Sequence, residues 1–362
     1  MLQRKAFHTC LTFVTTIVTA LCLSVGMATA AKVLKYSDHD PSGGLRTKFY
    51  KEIFLAEIEK QTEGRIKIQD FWGGALLSAP EALQGIGDGV ADMGMVYADF
   101  NPKQLLLHQG FKAYPTGPGN YDILMRFYKD VYEQIPEFSD ELKKFNQKVI
   151  YISPSLPTAF ISNKPFESLD KLKGGKWRAS SRWHLLFLKN AGATAMFIPW
   201  GEMYMSLQTG AVDGCMANYD GLHMTRQDEV APNILVAREL WFATPFMVTI
   251  NLDVWNGLPR EDQAGINKAA EIALEKYNQT YSDGVVNIFE TEKKNGQNPR
   301  YLSIEEVNAW ASTCATANAP QIWLEDLEKA RIKNAASIVS RLSELHKKAI
   351  EKDQKVTAAA QK

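Results

Sequence analysis

The 362-residue sequence lacks an excess of charge of either sign and contains few cysteines. Lysine and arginine together number 41, aspartate and glutamate also number 41, and no basic stripe stands out. This balance excludes the electrostatic footprint of a nucleic-acid-binding protein. Only Cys215 and Cys314 lie beyond the apolar N-terminus. A chain of this length can bury a core without a disulfide, so whether these two cysteines pair stays open.

The sequence also lacks the short motifs of common enzymes. It has no GxSxG, P-loop, HExxH or CxxC, and its glycine-rich GIGDG at 85–89 closes a helical pattern instead of opening one. The histidines beyond the N-terminus have no metal-ligand spacing, and His184 reads as a packing or surface residue. We therefore expect no enzyme, cofactor or metal. A periplasmic enzyme acting on small organic acids stays as an alternative, as does help from a bound cation in ligand binding.

The N-terminus has the three parts of an export signal. Arg4 and Lys5 precede an uncharged apolar run over 11–27, and Ala28-Thr29-Ala30 supplies small residues before a cleavage site. We expect a signal peptide over 1–30, cleaved after Ala30, and a periplasmic protein. A membrane anchor is the alternative, but the run is barely long enough to span a bilayer. A lipoprotein is disfavoured because Cys22 follows a leucine.

The 332 residues after this segment suggest two domains. Short apolar runs alternate with helical periods, as in the strand 32–36, the helix 46–61 and the strand 65–71. This alternation predicts an α/β fold with mainly parallel sheets covered by helices. The polar tail over 352–362 is expected to fray.

One short pattern occurs twice. GVADMGMVYAD at 89–99 aligns with GAVDGCMANYD at 210–220, and each follows a helical segment carrying Leu-Gln. Each copy places a glycine at the end of a helix and an aspartate at the start of a strand. Ligands of open α/β sheets bind beyond the carboxyl ends of the strands. Chance similarity is one interpretation, and two similar lobes facing a cleft is the other.

The stretch LKGGKWRASSRW at 172–183 places Arg178 at the end of a short strand, between two tryptophans. A guanidinium binds a carboxylate through two parallel hydrogen bonds, most strongly when partly desolvated. From these residues alone, a structural ion pair is an equally good interpretation. Trp177 should lie on the opposite strand face from Arg178 and pack in the core, whereas Trp183 is either wall or core.

The order of several segments resembles the solute-binding proteins of TRAP transporters, the DctP family. LDKLKGGKWR is followed by AGATAMFIPWGEMYMSLQTGAVDG, and the segments 59–97 and 251–273 are also similar to that family. The resemblance covers nearly the whole chain after the signal. It implies a two-lobed, periplasmic-binding-protein-like fold with a hinged cleft and long C-terminal helices. Lobe I would comprise 31–155 and 244–283, lobe II 156–243 and 284–325, with a C-terminal helix and tail over 326–362.

The resemblance also implies roles for particular residues. Arg178 falls on the family's carboxylate-binding arginine and Trp200 on an aromatic wall of the site. Further candidates, at the ends of the repeated segments and in a later aromatic run, are Asn218, Tyr219, Tyr97 and Trp241. The expected function is capture of a small organic acid by cleft closure and delivery to TRAP membrane permease subunits, by a monomer that contacts no nucleic acid. An ABC-type periplasmic binding protein is the alternative.

Two features bear on the ligand. Sialic-acid-binding relatives carry a second arginine where this sequence has Thr158, so we do not expect sialic acid. Several aromatic residues fall in segments that should border the cleft, among them Phe242. A carboxylate with an apolar or aromatic body and a simple keto or hydroxy acid are both left open.

Overall fold

The computed structural model of the chain describes residues 31–155, 157–240, 245–313 and 318–360. The expected signal peptide, Trp241, Phe242 and Cys314 lie outside these ranges, so the expectations that concern them are not addressed. None of the described helices combines the length and the hydropathy that are needed to cross a bilayer.

The described residues form two β-sheets. The first has the strand order β2-β1-β3-β10-β4 and the second the order β11-β9-β5-β8-β6-β7. The strands are β1 (Lys32–Ser37), β2 (Ile66–Phe71), β3 (Met93–Val96), β4 (Gln147–Ser153), β5 (Thr158–Ser162), β6 (Lys176–Arg178), β7 (Thr194–Met196), β8 (Gly214–Asn218), β9 (Asn233–Ala237), β10 (Phe246–Asn251) and β11 (Asn298–Tyr301).

Both sheets are mixed, which corrects the expectation of mainly parallel sheets. Strand β1 runs parallel to β2 and β3, but β10 runs antiparallel to both β3 and β4. In the second sheet β6 is parallel to β7 and β8, whereas β5 is antiparallel to β8 and β9. The chain passes to the second sheet after β4, returns to the first for β10, and passes to the second again for β11. The first two crossings bring in β5 and β10, which run antiparallel to their neighbours, whereas β11 runs parallel to β9.

The α/β fold with two sheets agrees with the expectation of two lobes. Every strand of the first sheet lies within the segments expected for lobe I, and every strand of the second within those expected for lobe II. The lobe boundaries themselves stay a prediction. The names lobe I and lobe II are used below for these two sheets and the helices between their strands.

The repeated sequence pattern occupies equivalent places in the two sheets. Asp92 precedes β3 and accepts a hydrogen bond from the backbone N–H of Lys35 at 2.7 Å. Asp213 precedes β8 and accepts one from the backbone N–H of Lys176 at 2.8 Å. Each aspartate thereby joins its strand to the parallel neighbour, and each sheet carries a copy of the same helix–strand unit. The carboxyl ends of these strands are where the site residues fall.

Besides four short 3-10 turns, thirteen helices connect and cover the strands within the described residues. They are α1 (Leu45–Phe49, a π-helical turn Tyr50–Leu55, and Ala56–Gln61), α2 (Ala82–Gly87), α3 (Tyr121–Gln134), α4 (Glu137–Lys143), α5 (Arg182–Asn190), α6 (Met203–Gln208), α7 (Tyr219–Met224), α8 (Gln227–Val230), α9 (Leu252–Asn256), α10 (Arg260–Lys294), α11 (Ile304–Thr313), α12 (Ala319–Lys329) and α13 (Ala335–Ala360).

Helix α10 holds the two lobes together. Its 35 residues extend over roughly 50 Å at 1.5 Å per residue. Tyr277 and Tyr281 stack on each other at 3.8 Å and meet the ring of Phe49 in α1 edge-on. The Tyr277 hydroxyl also donates to the carbonyl of Pro154, at the first crossing between sheets. The helix therefore packs on lobe I and binds the segment that crosses between the sheets.

The C-terminal tail does not fray at residue 352 as expected, because α13 continues to Ala360. The carboxylate of Asp353 accepts hydrogen bonds from the backbone N–H groups of Gly119 and Asn120, at 3.0 and 3.1 Å. These two residues lie just before α3, and Asn120 is the N-cap of that helix. A polar tail that looks disordered by composition is thus bound to the segment that leads into another helix.

Candidate ligand-binding cleft

The strand β6 separates two residues that are adjacent in sequence. Trp177 is buried in the core that contains Phe160 and Phe166, while Arg178 lies on the other face beside Cys215 of β8. A Cβ atom on Gly214 would lie 2.5 Å from the Trp177 ring, which explains the glycine at this place in β8. The alternation predicted from the strand period therefore holds, and it directs Arg178 away from the core.

Arg178 is buried without a carboxylate. Its side chain is only 2 % exposed. Nε donates to the carbonyl of Ile198 at 2.9 Å, and Nη1 lies 4.0 Å from the sulfur of Cys215. Among the described residues no carboxylate lies within 4.0 Å of the guanidinium. The residues outside the described ranges include no aspartate or glutamate.

Arg46 in lobe I shows how the same chain treats a buried arginine that is structural. It is 3 % exposed, and its two terminal nitrogens bind both oxygens of Asp38, at 2.7 and 2.8 Å. One of them also contacts Asp40 at 2.7 Å. A buried ion needs such partners, because removing one leaves an uncompensated charge that costs about 3–5 kcal/mol. Arg178 is equally buried and has no such internal partner among the described residues.

The other basic groups near Arg178 do not need an anion. Lys112 is 1 % exposed, and its Nζ forms an ion pair with Asp99 and donates to the Tyr97 hydroxyl at 2.8 Å. Burial lowers the pKa of Lys112, although its pairing with Asp99 opposes the change. Burial and the nearby charges of Lys112 and Arg178 hold the pKa of His184 well below its usual value, so the imidazole is neutral. Among the described basic groups compared here, the guanidinium of Arg178 is the one without a compensating carboxylate.

Two aromatic groups flank these charges. The guanidinium carbon of Arg178 lies 5.3 Å from the centre of the Trp200 ring, a cation–π distance. Tyr97 follows β3, and its ring lies 5.4 Å from Phe246 and 5.6 Å from Phe100. Trp200 and Tyr97 are both partly buried. Trp183 is fully buried and donates to the carbonyl of Gln109, so it belongs to the core.

The residues that end β8 divide between two environments. Asn218 is partly buried, and its amide donates to the carboxylate of Asp220 at 2.7 Å. Tyr219 is fully buried, and its hydroxyl donates to Glu292 of helix α10. The side chain of Tyr219 is therefore engaged behind the sheet, and we leave it out of the site proposed below. Trp241, as stated above, lies outside the described residues.

The two lobes touch where the start of α1 meets the end of α7. A Cβ atom on Gly44, just before α1, would lie 2.4 Å from the sulfur of Met224 at the end of α7. Helix α1 belongs to lobe I, and α7 follows β8 in lobe II. The absence of a side chain at Gly44 permits this close approach.

Several residues of the site carry no signal that sequence reasoning used. The ion pair of Lys112 with Asp99 joins a short helical turn to the end of the first repeated segment. The sequence analysis singled out the segment that contains Asp99, but nothing in it pointed to Lys112. Ile198 contributes a backbone carbonyl, which its residue type does not reveal. His184 was expected to be a packing or surface residue, and it is buried.

Comparison with known proteins gives a consistent family. The model of "Bacterial extracellular solute-binding protein, family 7" (DctP) matches residues 41–320. The ectoine-binding periplasmic protein TeaA of Halomonas elongata is 25% identical over 262 residues, which cover 70% of this chain and 74% of TeaA. The C4-dicarboxylate-binding periplasmic protein DctP of Rhodobacter capsulatus is 26% identical over 269 residues, covering 69% and 75% of the two chains.

A solved structure supports the same fold. The TRAP solute-binding protein from Rhodoferax ferrireducens, in complex with copurified benzoate, superposes with a TM-score of 0.77 at 16% identity. The superposition covers 88% of this chain and 98% of that one. The family match agrees with the TRAP resemblance and not with the ABC-type alternative, and the family consists of extracytoplasmic receptors, not enzymes. The chain belongs to the DctP family of bacterial extracellular solute-binding proteins, the solute-binding proteins of TRAP transporters.

Proposed function

We propose that this protein captures a small organic carboxylate in the cleft between its lobes and delivers it, without chemical change, to the permease of a TRAP transporter. The observation that carries the proposal is the buried guanidinium of Arg178, which has no carboxylate partner among the residues that the structure describes. A ligand carboxylate supplies the missing anion through the two terminal nitrogens. The Nε bond to the Ile198 carbonyl holds the group in orientation.

Trp200 and Tyr97 are the proposed walls, and Asn218 is the proposed polar contact from the end of β8. Trp200 lies against the guanidinium, and partial exclusion of water by its ring strengthens the ion pair. Trp241 stays a candidate on sequence grounds alone. We include no metal or cofactor in this cleft.

Aromatic walls favour a carboxylate with an apolar or aromatic body. The benzoate complex of the Rhodoferax ferrireducens protein shows that the fold accommodates such a ligand. The relative from Rhodobacter capsulatus binds C4-dicarboxylates, so a smaller and more polar acid is the second candidate ligand. The two possibilities share one anchor, the ion pair with Arg178.

Binding selects the closed form by the contacts that the ligand makes only when both lobes enclose it. We propose that the mature chain begins after Ala30, works as a periplasmic monomer, and presents its closed surface to the permease.

The first experiment identifies the ligand. Protein purified from periplasm without unfolding is examined by native mass spectrometry, and the excess mass is identified after release. The protein is then stripped by unfolding and refolding and tested by thermal shift against acid and amide pairs such as benzoate and benzamide. The proposal expects an acid to raise the melting temperature and its amide to fail, because only the acid neutralises the guanidinium. Equal effects of acid and amide would refute the carboxylate anchor.

A further inference from the structure

Three side chains from three different helices lie close together at a place that does not include Arg178. They are His223 in α7, Asp228 in α8 and Glu292 in α10. One ligand atom from each lies within 4.8 Å of the other two. The Nδ1 atom of His223 is 2.6 Å from an Asp228 oxygen and 3.7 Å from Oε1 of Glu292. One imidazole nitrogen therefore faces two carboxylates.

One carboxylate oxygen of this cluster is buried without a hydrogen-bond partner among the described residues. The side chain of Glu292 is 1 % exposed, and its Oε2 accepts the hydroxyl proton of Tyr219. Its Oε1 is buried and has no hydrogen-bond partner among the residues that the structure describes. A buried carboxylate oxygen without a partner is costly in free energy. Because this oxygen points toward His223 and Asp228, a cation among the three side chains would satisfy it.

The donor set fits a divalent ion. Two carboxylates and one imidazole offer three ligand atoms that lie within 4.8 Å of one another. A divalent cation bound by the neutral imidazole and both carboxylates makes the cluster neutral. The side chain of His223 is 32 % exposed, whereas Asp228 and Glu292 are buried, so the cluster is open to water at the histidine. This opening provides a path of entry and room for a water ligand.

We propose that His223, Asp228 and Glu292 form a binding site for a divalent transition-metal cation of the zinc class. Imidazole with two carboxylates is a donor set that such ions accept, with the fourth position left to water. Tyr219 then acts from outside the ligand set, because its hydroxyl fixes the Glu292 carboxylate in orientation. The metal would tie α7 and α8 to the long helix α10.

The site is separate from the proposed carboxylate anchor and does not depend on it. The metal ligands lie on helices, and Arg178 is not among them. The consequence for the cleft is mechanical: α7 begins at Tyr219, directly after Asn218, so fastening α7 to α10 limits the movement of the end of β8.

Zinc is the probe for the test. Tag-free protein comprising residues 31–362 is treated with chelator, dialysed against increasing zinc and assayed for bound metal by mass spectrometry. The wild type is expected to bind one equivalent. His223→Ala and Glu292→Gln are expected to bind more than about tenfold more weakly, since each removes a ligand, not merely an outer contact. His39→Ala is the matched control, because it removes another partly exposed histidine that lies 3.8 Å from a carboxylate, Asp40.

A second measurement avoids the variants in case Glu292→Gln fails to fold. In the wild type, zinc is expected to protect His223 from diethylpyrocarbonate, read by peptide mass spectrometry, while His39 continues to react. Failure of the wild type to bind zinc would overturn the proposal, and the three side chains would then be joined by hydrogen bonds alone. Binding that survives loss of His223 and of Glu292, or equal protection of His39, would overturn it too. None of these outcomes changes the acid-against-amide comparison for the cleft.

Discussion

Replacement of Arg178 by methionine should separate ligand affinity from stability. Methionine is apolar and roughly fills the volume of the arginine stem, so the exchange removes the charge without opening a large cavity. In the proposed complex it also removes the ion pair with the ligand. Loss of one partner of a desolvated pair costs about 2–5 kcal/mol, which is a loss of affinity of roughly 30-fold to several thousandfold.

The stability of the ligand-free protein should respond differently. The variant loses the hydrogen bond from Nε to the Ile198 carbonyl, a charged donor worth about 1.5–3 kcal/mol. It also loses a buried charge without a carboxylate partner, whose desolvation costs several kcal/mol. These terms oppose each other, so the free energy of unfolding should stay near the wild-type value or rise.

Arg46→Met is the matched comparison. It removes an arginine of the same burial that is paired with Asp38 and Asp40, and it should lower the free energy of unfolding by about 3–5 kcal/mol. Urea unfolding of stripped protein measures both stabilities, and calorimetric titration with the best acid of the thermal-shift panel measures affinity. If Arg178→Met were as destabilising as Arg46→Met, the guanidinium would be structural. Unchanged affinity would remove Arg178 from the site.

Three further outcomes are expected. Burial lowers the pKa of His346 from 6.5 to about 4, although the hydrogen bond from its Nε2 to the Thr116 carbonyl opposes the change, so the folded state resists its protonation. The neutral imidazole therefore contributes about 3 kcal/mol to the free energy of unfolding above pH 6.5, and this contribution is lost as the pH falls toward 4. In that pH range the free energy of unfolding of His346→Gln should depend less on pH than that of the wild type. Gly214→Ala should lower the unfolding free energy by about 1–3 kcal/mol because its methyl group meets the Trp177 ring, and unchanged urea midpoints would contradict this packing. Trp200→Ala should weaken acid binding by about 0.5–2 kcal/mol in calorimetry while leaving the preference for acid over amide intact.

Local patterns predicted much of the framework. The alternation of Trp177 and Arg178 followed from the period of a strand, and the structure places them on opposite faces. The two repeated segments were visible as matched glycines and aspartates, and both aspartates bond the neighbouring parallel strand. These features depend on residues close in sequence or on backbone geometry, which short patterns report directly.

The direction of the strands and the structure of the C-terminal tail were harder to predict from the sequence. The sheets were expected to be mainly parallel, but β5 and β10, which follow the first two crossings between lobes, run antiparallel to their neighbours. The tail was expected to fray because its composition is polar, yet Asp353 accepts hydrogen bonds from the backbone just before a helix that lies more than 200 residues earlier. Both outcomes depend on which distant segments meet.

The sequence by itself determined the α/β class and the family. It also led us to expect an export signal and singled out Arg178 as the candidate anchor. Only the tertiary structure decided that Arg178 has no carboxylate partner within the described ranges, because that depends on where distant acidic side chains lie. It also brought together His223, Asp228 and Glu292, whose spacing of five and sixty-four residues matches no metal motif. Charge compensation in a buried place is a property of space and not of order along the chain, and the fold is what supplies or withholds the partner.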